Sequence, residues 1–549
     1  DLARQLGLAT VHPGEEDLLA AVARFTGDAL ADVVVEASGT AAGVQAMTQL
    51  ARVRGRIVMV AIHAQPQPVE LFQFFWRELE MIGVRVYEPE GIDLAHSGGA
   101  TVEDRDEESA LVKMPPWMVD RARATLPQKV VVVGPPGRDG KRKNRMELYK
   151  NQIYFGAGSD TPFTIDPYTR ERRRATYRDV KNFARLAEKL PNIDFHMSLG
   201  ITQDTAVGTY DRWQYLAMLE GTTKPINITA VDLDGLNDQL EMAYIRLGGK
   251  AEWEKAPCFS LYIEPVSPLS HSEEVIQKLL FSADHGIPFV YTPCPMAGGT
   301  APTTLAGLLV QALTESLFGI VLSQLRKPGA QLIIGGLLSN MDMSTTVMAY
   351  GSPEMALLSA GYTDITKWLR VPMYETAGCS DSKLFDEQAA MEATFNIATA
   401  ALIGGNMIHD VGYIESGLTS SPEMMVASNE IIDMVKRILR GIPVNDETKA
   451  LDVIDAVGPG GHYLDQDHTF ERFRTEIWQP GLIDRHNWEN WEMLGSKRFE
   501  ERVHERVIDL LDEEEEAPLD EAMYAELRRI CELADERHKG EELEMSLFV

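Results

Sequence analysis

The chain has 549 residues, 44% of them hydrophobic and 25% charged, which is ordinary for a globular protein that can bury a large core. Its formal net charge is −31 and its pI about 4.8. Such acidity argues against nucleic acid as a partner, because phosphate binding needs a basic face. Four scattered cysteines, Cys258, Cys294, Cys379 and Cys531, form no C-x-x-C pair. Neither a disulfide framework nor a zinc knuckle is expected, and a reducing cytoplasm is the expected setting. No apolar run of about 18 residues and no signal peptide stands out, so no membrane partner is expected.

Residues 1–90 alternate apolar strands with helices. DVVVEASG (32–39) and GRIVMV (55–60) read as buried strands, with a helix over about 40–50, another over 69–81, and a third strand at 83–87. This is the rhythm of a doubly wound parallel sheet. Together with ELEMIGVRVY (78–87), these runs make the stretch resemble part of the nucleotide-binding half of zinc-type medium-chain alcohol dehydrogenases. The G-x-G-x-x-G phosphate turn of such a domain is missing from it. A partial Rossmann-like segment is therefore expected, a non-functional remnant or a fusion. Residues 91–150 form a transition. They hold a Ser-Gly-Gly-Ala turn at 97–100, a Pro-opened helix from 115, a strand at 129–134, and a basic turn at 137–143 that reads as a solvated hairpin tip.

From residue 151 onward, strands are expected at 195–199, 226–230, 259–263, 289–292, 332–334, 371–374 and 407–410, each followed by a helix. Residues 153–155 read as an outer hairpin strand, and no eighth inner strand is assigned. Strand–helix alternation with right-handed crossovers predicts an α/β chain with a TIM (β/α)8-type barrel over 91–510. Beyond a GPGGH loop at 458–462 the chain turns helical. Residues 511–549 read as an acidic helical tail, a solvated face or flexible spacer.

In such a barrel the C-terminal strand ends share one mouth. Reading them gives Glu264, Tyr291, Asn340, Tyr374, Glu375, His409, Tyr413 and Glu415 as the substrate-binding candidates. Lesser candidates are His196, Ser198, Asn227, Thr229, Thr292, Ser339, Asp342 and Tyr350. Carboxylates beside aromatic faces suit a cationic ligand, and each good contact to a quaternary ammonium contributes about 0.5–2 kcal/mol. The same tyrosines equally fit a role as amphipathic residues of the barrel rim. No H-E-x-x-H, zinc-spaced cluster or G-x-S-x-G elbow occurs. His409 and Asp410 form a suggestive pair, but strand alternation sends them to opposite faces. Gly298–Gly299 before Thr303 reads as a possible anion-binding turn or simply a tight one.

Residues from about 97 to 510 resemble the trimethylamine methyltransferase superfamily. The resemblance is carried by Ser97-Gly-Gly-Ala, by the block from Tyr350 (YGSPEMALLSAGYTDITKWLRVPMYETAGCSDSKLFDEQAAMEATF) and by that from Ala401 (ALIGGNMIHDVGYIESGLTSSPEMMVASNEII). It implies a TIM barrel that binds a methylated amine and passes a methyl group to the Co(I) cobalamin of a separate corrinoid protein. No cofactor is then held tightly by this chain, and a homo-oligomer is expected. Trimethylamine enzymes of the family contain pyrrolysine, and this sequence has no non-standard residue. That points to the branch acting on quaternary amines such as glycine betaine. A betaine carboxylate would seek donors, for which Gly298–Thr300, His409 and Asn340 are the candidates. The alternatives are an NAD-dependent alcohol dehydrogenase-like oxidoreductase and a non-catalytic betaine-binding barrel.

Overall fold

The computed structural model describes residues 16–36, 40–59, 80–83, 90–104, 109–514 and 517–539, with residues 11, 77 and 78 besides. Two units emerge, Asp1–Asp93 and Leu94–Val549. In the first, the apolar runs form three parallel strands, Ala31–Glu36, Ala51–Met59 and Glu80–Gly83, paired in chain order. Thr40 caps the helix Ala41–Leu50 by accepting from the Gly43 N–H. Val44 and Met47 pack on Ala51 and Ile57. The third strand begins three residues earlier than the sequence suggests. Most of the helix expected over 69–81, and residues 84–87, lie outside the described residues.

The second unit holds the barrel. Its strands are β1 (Tyr154–Ala157), β2 (Ile226–Ile228), β3 (Phe259–Ile263), β4 (Phe289–Tyr291), β5 (Leu332–Gly335), β6 (Met373–Thr376) and β7 (Met407–Val411). They pair in parallel in the order β2-β3-β4-β5-β6-β7-β1. Phe195 bridges to Gly156 of β1 and His196 to Ile226 of β2, which closes the ring. Each position is followed by its helix: α1 (Tyr177–Lys189), α2 (Tyr210–Gly221), α3 (Leu233–Leu247), α4 (Glu273–His285), α5 (Leu305–Arg326), α6 (Pro353–Leu369), α7 (Glu387–Ile403) and α8 (Pro422–Leu439).

Residues 153–155, expected as an outer strand, therefore belong to the ring. Their pattern misleads because Gly156 sits where a side chain would signal a strand. A Cβ there would come within 2.4 Å of the Phe195 ring. The strand expected at 195–199 narrows to the two bridges.

The helices start where local chemistry lets them. Asp232 caps α3, Ser272 caps α4, Ser352 and Ser421 cap α6 and α8 with proline at the next position, and Asp386 caps α7. Each side chain takes up an N–H the first turn leaves free. α5 is long and apolar enough to cross a membrane, although no such run stood out in the sequence. Here it is a barrel helix, and its buried Glu315 accepts from Ser267 Oγ and the Leu269 N–H.

An antiparallel hairpin, Val130–Val133 with Arg145–Leu148, seals one end of the barrel. Val130, Val132, Met146 and Leu148 pack against Phe195, Met197, Val290, Ile333 and Met407 of the lumen. The Val133 N–H donates to the Pro257 carbonyl, just before β3 begins. The sealed end is thus where the strands start, and the mouth lies at their C-terminal ends.

The stretch read as an acidic tail is docked. Its helix Glu521–Arg537 buries Leu527, Cys531 and Ala534 against α2 and α3. Asp535 accepts from Trp213 Nε1 and Thr209 Oγ1, and Arg138 donates to the Ala517 carbonyl.

Packing around the ring is tight enough to test. A Cβ on Gly335 would lie 2.0 Å from the Tyr374 carbonyl oxygen of the neighbouring strand. Gly335→Ala should cost about 3 kcal/mol, because backbone must move. Denaturant titration measures this, and an unchanged midpoint would contradict the β5–β6 contact.

Candidate functional site

Alternation along β6 turns Tyr374 and Thr376 into the lumen and Glu375 outward. On β7, Met407 and His409 face inward. Asp410 should then face out, but its φ is +76°, and the β7–β1 register shifts between Ile408 and Val411. A non-glycine residue in this region is rare and strained. The result defeats the alternation rule: Asp410 Oδ1 lies 2.5 Å from His409 Nδ1. Its Oδ2 accepts from the Tyr350 hydroxyl at 3.0 Å. His409 stacks on Tyr374 at 4.1 Å and 15°, and its Nε2 is 3.1 Å from Thr376 Oγ1.

Beneath this pair is a hydrogen-bonded floor. Asn227 Nδ2 donates to the Tyr374 hydroxyl at 3.1 Å, and Ser260 Oγ donates to Asn227 Oδ1 at 3.0 Å. Tyr262 stands beside it, 5.9 Å from the Tyr374 ring and 6.4 Å from that of His409. The Tyr262 hydroxyl donates to Glu264 Oε2 at 2.7 Å, and Cys294 Sγ lies 3.9 Å from that hydroxyl. Glu264 keeps exposed surface although protein surrounds it on nearly all sides, and Tyr262 and Cys294 are half-buried. All three sit toward the C-terminal ends of β3 and β4, on the mouth side of the barrel. Near Tyr350, Tyr413 meets its ring edge-on at 6.3 Å and approaches Ser159 Oγ at 3.3 Å. Asp160, the next residue, accepts from Ser198 Oγ at 2.8 Å and Gln214 Nε2 at 3.1 Å.

Burial dominates the electrostatics. It pushes the Glu264 carboxyl above the ordinary range, against hydrogen bonds from Tyr262 and Cys294 and the nearby His409, while the Asp410 charge pushes it further up. Burial likewise raises Asp160, opposed by bonds from Ser198, Thr229 and Gln214. Tyr350, Tyr374 and Tyr413 are kept protonated by burial first and by the Asp410 charge second. Carboxyl groups and π-faces meet here, and a bound cation would stabilise each ionised carboxylate.

A profile of the trimethylamine methyltransferase (MTTB) family matches residues 36–537. The chain belongs to this family. Trimethylamine methyltransferase MttB of Desulfitobacterium hafniense (strain DSM 10664 / DCB-2) is 33% identical over 460 residues, spanning 84% of this chain and 91% of that one. MttB of Methanosarcina barkeri (strain Fusaro / DSM 804) is 31% identical over 472 residues, 83% of this chain and 92% of its own. A glycine betaine methyltransferase of Desulfitobacterium hafniense (strain Y51) is 30% identical over 392 residues, 70% and 81% of the two chains. The family match begins inside the stretch that resembles a dehydrogenase.

In this methyltransferase Glu264, Tyr374 and His409 come together, with Tyr413 close to Asp160 and Tyr350. The other sequence candidates lie elsewhere. Tyr291 packs beneath α5, where a Cβ on Gly319 would meet its ring at 2.5 Å, and its hydroxyl is 2.6 Å from His271 Nδ1. Glu375 faces the helices α6 and α7. Asn340 accepts from Ser352 Oγ at 2.6 Å. Glu415 is ion-paired with Arg172 at 2.7 Å. The strand-end reading names neither Asp160 nor Tyr262, and Cys294 enters it only as one of four scattered cysteines. Two surface hollows, of about 460 and 1080 Å³, are lined by no barrel strand. Among the described residues, no three His, Cys, Asp or Glu side chains gather as metal ligands.

Glu375 offers a test. It is buried, its Oε2 has no partner, and burial raises its pKa from 4.5 to about 8, against the pull of Lys367. The folded state therefore holds a proton that the unfolded chain releases. Stability is intact below about 4.5 and is lost progressively as pH rises through about 8. The unfolding temperature should fall with pH in this window more steeply for the wild type than for Glu375→Gln. Parallel curves from differential scanning fluorimetry would contradict the buried neutral carboxyl.

Proposed function

We propose that the chain moves a methyl group from a methylated, quaternary amine, with glycine betaine as one example, to the Co(I) cobalamin of a partner corrinoid protein. The observation that carries this reading is the convergence of Glu264, Asp410, Tyr262 and Tyr374 at one end of a barrel whose other end is closed. The family membership and the relatives acting on trimethylamine and glycine betaine support it.

The chemistry asks little of the protein beyond placement. The C–N bond breaks with its electron pair kept by nitrogen, so a quaternary ammonium leaves as a neutral tertiary amine and no proton is supplied. The Co(I) centre, when docked, contributes the electron pair that takes the methyl carbon. Tyr262 and Glu264, the accessible members of the cluster, hold the ammonium, and behind them the buried Tyr374 and Asp410 fix His409, which also meets Thr376. The accessible surface of Glu264 fits an acceptor that approaches from outside the chain.

The purified chain, mixed with methylated amines and a corrinoid protein whose cobalamin is reduced to Co(I), should consume the Co(I) absorbance. No reaction across betaines, choline and methylamines would refute the reading. Glu264 ionises as pH rises, and only its ionised form attracts a cation. KM should therefore fall with rising pH in the wild type. In Glu264→Gln, KM should lie about tenfold higher at the alkaline end, the loss of one close charge contact, and should be flat with pH. A wild-type KM that rises with pH would contradict this role.

A further inference from the structure

Glu264 is held from two strands. Its own strand supplies Tyr262, whose hydroxyl donates to Oε2 at 2.7 Å. The neighbouring strand supplies Cys294, whose side chain also bonds the Glu264 carboxyl. The sequence explains how the thiol arrives there. Val290 faces the lumen, and Tyr262 pairs with it across β3 and β4. The Thr292 N–H donates to the Ile263 carbonyl, so the ladder runs just past β4. Pro293 and Pro295 then bracket Cys294. Each proline fixes its own φ and drives the residue before it into extended backbone. Alternation therefore continues after the ladder stops, and Cys294 emerges on the same face as Val290, Tyr262 and Glu264. Its Sγ lies 3.9 Å from the Tyr262 hydroxyl and 3.8 Å from the Thr292 carbonyl. The Leu337 N–H, from the loop after β5, donates to the sulfur. Of the two acceptors in reach of the thiol proton, the carboxylate is the stronger.

The groups facing Glu264 are Tyr262 on β3, Cys294 after β4, and His409 and Asp410 on β7. Burial disfavours the carboxylate charge and Asp410 repels it, while Tyr262, Cys294 and His409 favour it. We infer that Cys294 is a positioning residue: its S–H donates to Glu264 and holds the charged carboxylate toward the methylated ammonium. This rests on the reading above and names a group on which the action of Glu264 depends.

The tie is reciprocal. Burial first and Glu264 second push the Cys294 thiol well above the ordinary range. Of the four cysteines, Cys294 alone is not buried, so a thiol reagent reads it selectively. The full chain is treated with iodoacetamide near pH 8, and Cys294 labelling is followed by peptide mass spectrometry. Labelling should run about tenfold faster in Glu264→Gln than in the wild type, because the thiolate is the reactive form and the carboxylate suppresses it. Equal or slower labelling in the variant overturns the inference.

Isothermal titration with tetramethylammonium shows whether donation, rather than bulk, is what matters. The wild-type Kd should fall as pH rises and Glu264 ionises. In Cys294→Ala that fall should move about one pH unit higher, the loss of one donor to the carboxylate. Cys294→Ser restores a donor and should return it to the wild-type position or below. No binding by the wild type, a Cys294→Ala profile that coincides with the wild type, or a Cys294→Ser profile displaced like that of Cys294→Ala overturns the inference. Methyl transfer to a Co(I) corrinoid protein is scored separately. If the chain transfers methyl groups but the thiol and carboxylate act independently, the inference falls and the methyltransferase reading stands. If labelling and binding behave as stated but no amine reacts, the reading falls and the tie between Cys294 and Glu264 remains.

Discussion

The site depends on one backbone distortion. At φ +76° Asp410 gives up the geometry of a regular strand, and its carboxylate swings to His409 and Tyr350 instead of outward to the helices. Such strain costs on the order of 1–3 kcal/mol and persists only where surrounding contacts over-determine it. Here the two hydrogen bonds and the shifted β7–β1 register do so. His409 is thereby pinned against Tyr374, and Tyr350 is drawn in from beyond β5. Asp381 ties the loops after β5 and β7 together a second time, accepting from the Tyr350 and Gly351 N–H groups and from Ser416 Oγ.

The barrel was legible because its signals are redundant. Seven apolar runs, five of them followed by a helix with a side-chain cap, state the same answer many times, and Ser352-Pro353 or Ser421-Pro422 mark a helix start without ambiguity. The eighth position was not legible for local reasons. β1 carries Gly156 in place of a side chain, and residues 195–199 leave only two bridges. The docked C-terminal helix was hidden by its charge: Leu527, Cys531 and Ala534 make a narrow stripe among acids, and composition outweighs the stripe.

The site was less legible than the fold. Strand-end reading found Glu264, Tyr374 and His409 because it counts polar residues near the right positions. It also took Tyr291 and Glu375, whose facing depends on a phase that a one-residue error reverses. It set Asp410 apart from His409 because alternation is the correct default, and only a positive φ breaks it. Asp160 is invisible in the sequence because it follows β1, which reads as a strand outside the ring. The clustered polar residues the sequence hides lie where the local rules fail, which is where strain and chemistry tend to meet.

The hairpin beneath the lumen has a kinetic meaning. Val130, Val132, Met146 and Leu148 make the barrel a blind well with a single doorway. Whatever small molecule enters the lumen, and whatever leaves it, crosses the same threshold at the C-terminal strand ends. Traffic through one doorway is queued: an occupant has to leave by the way it came before the next can enter.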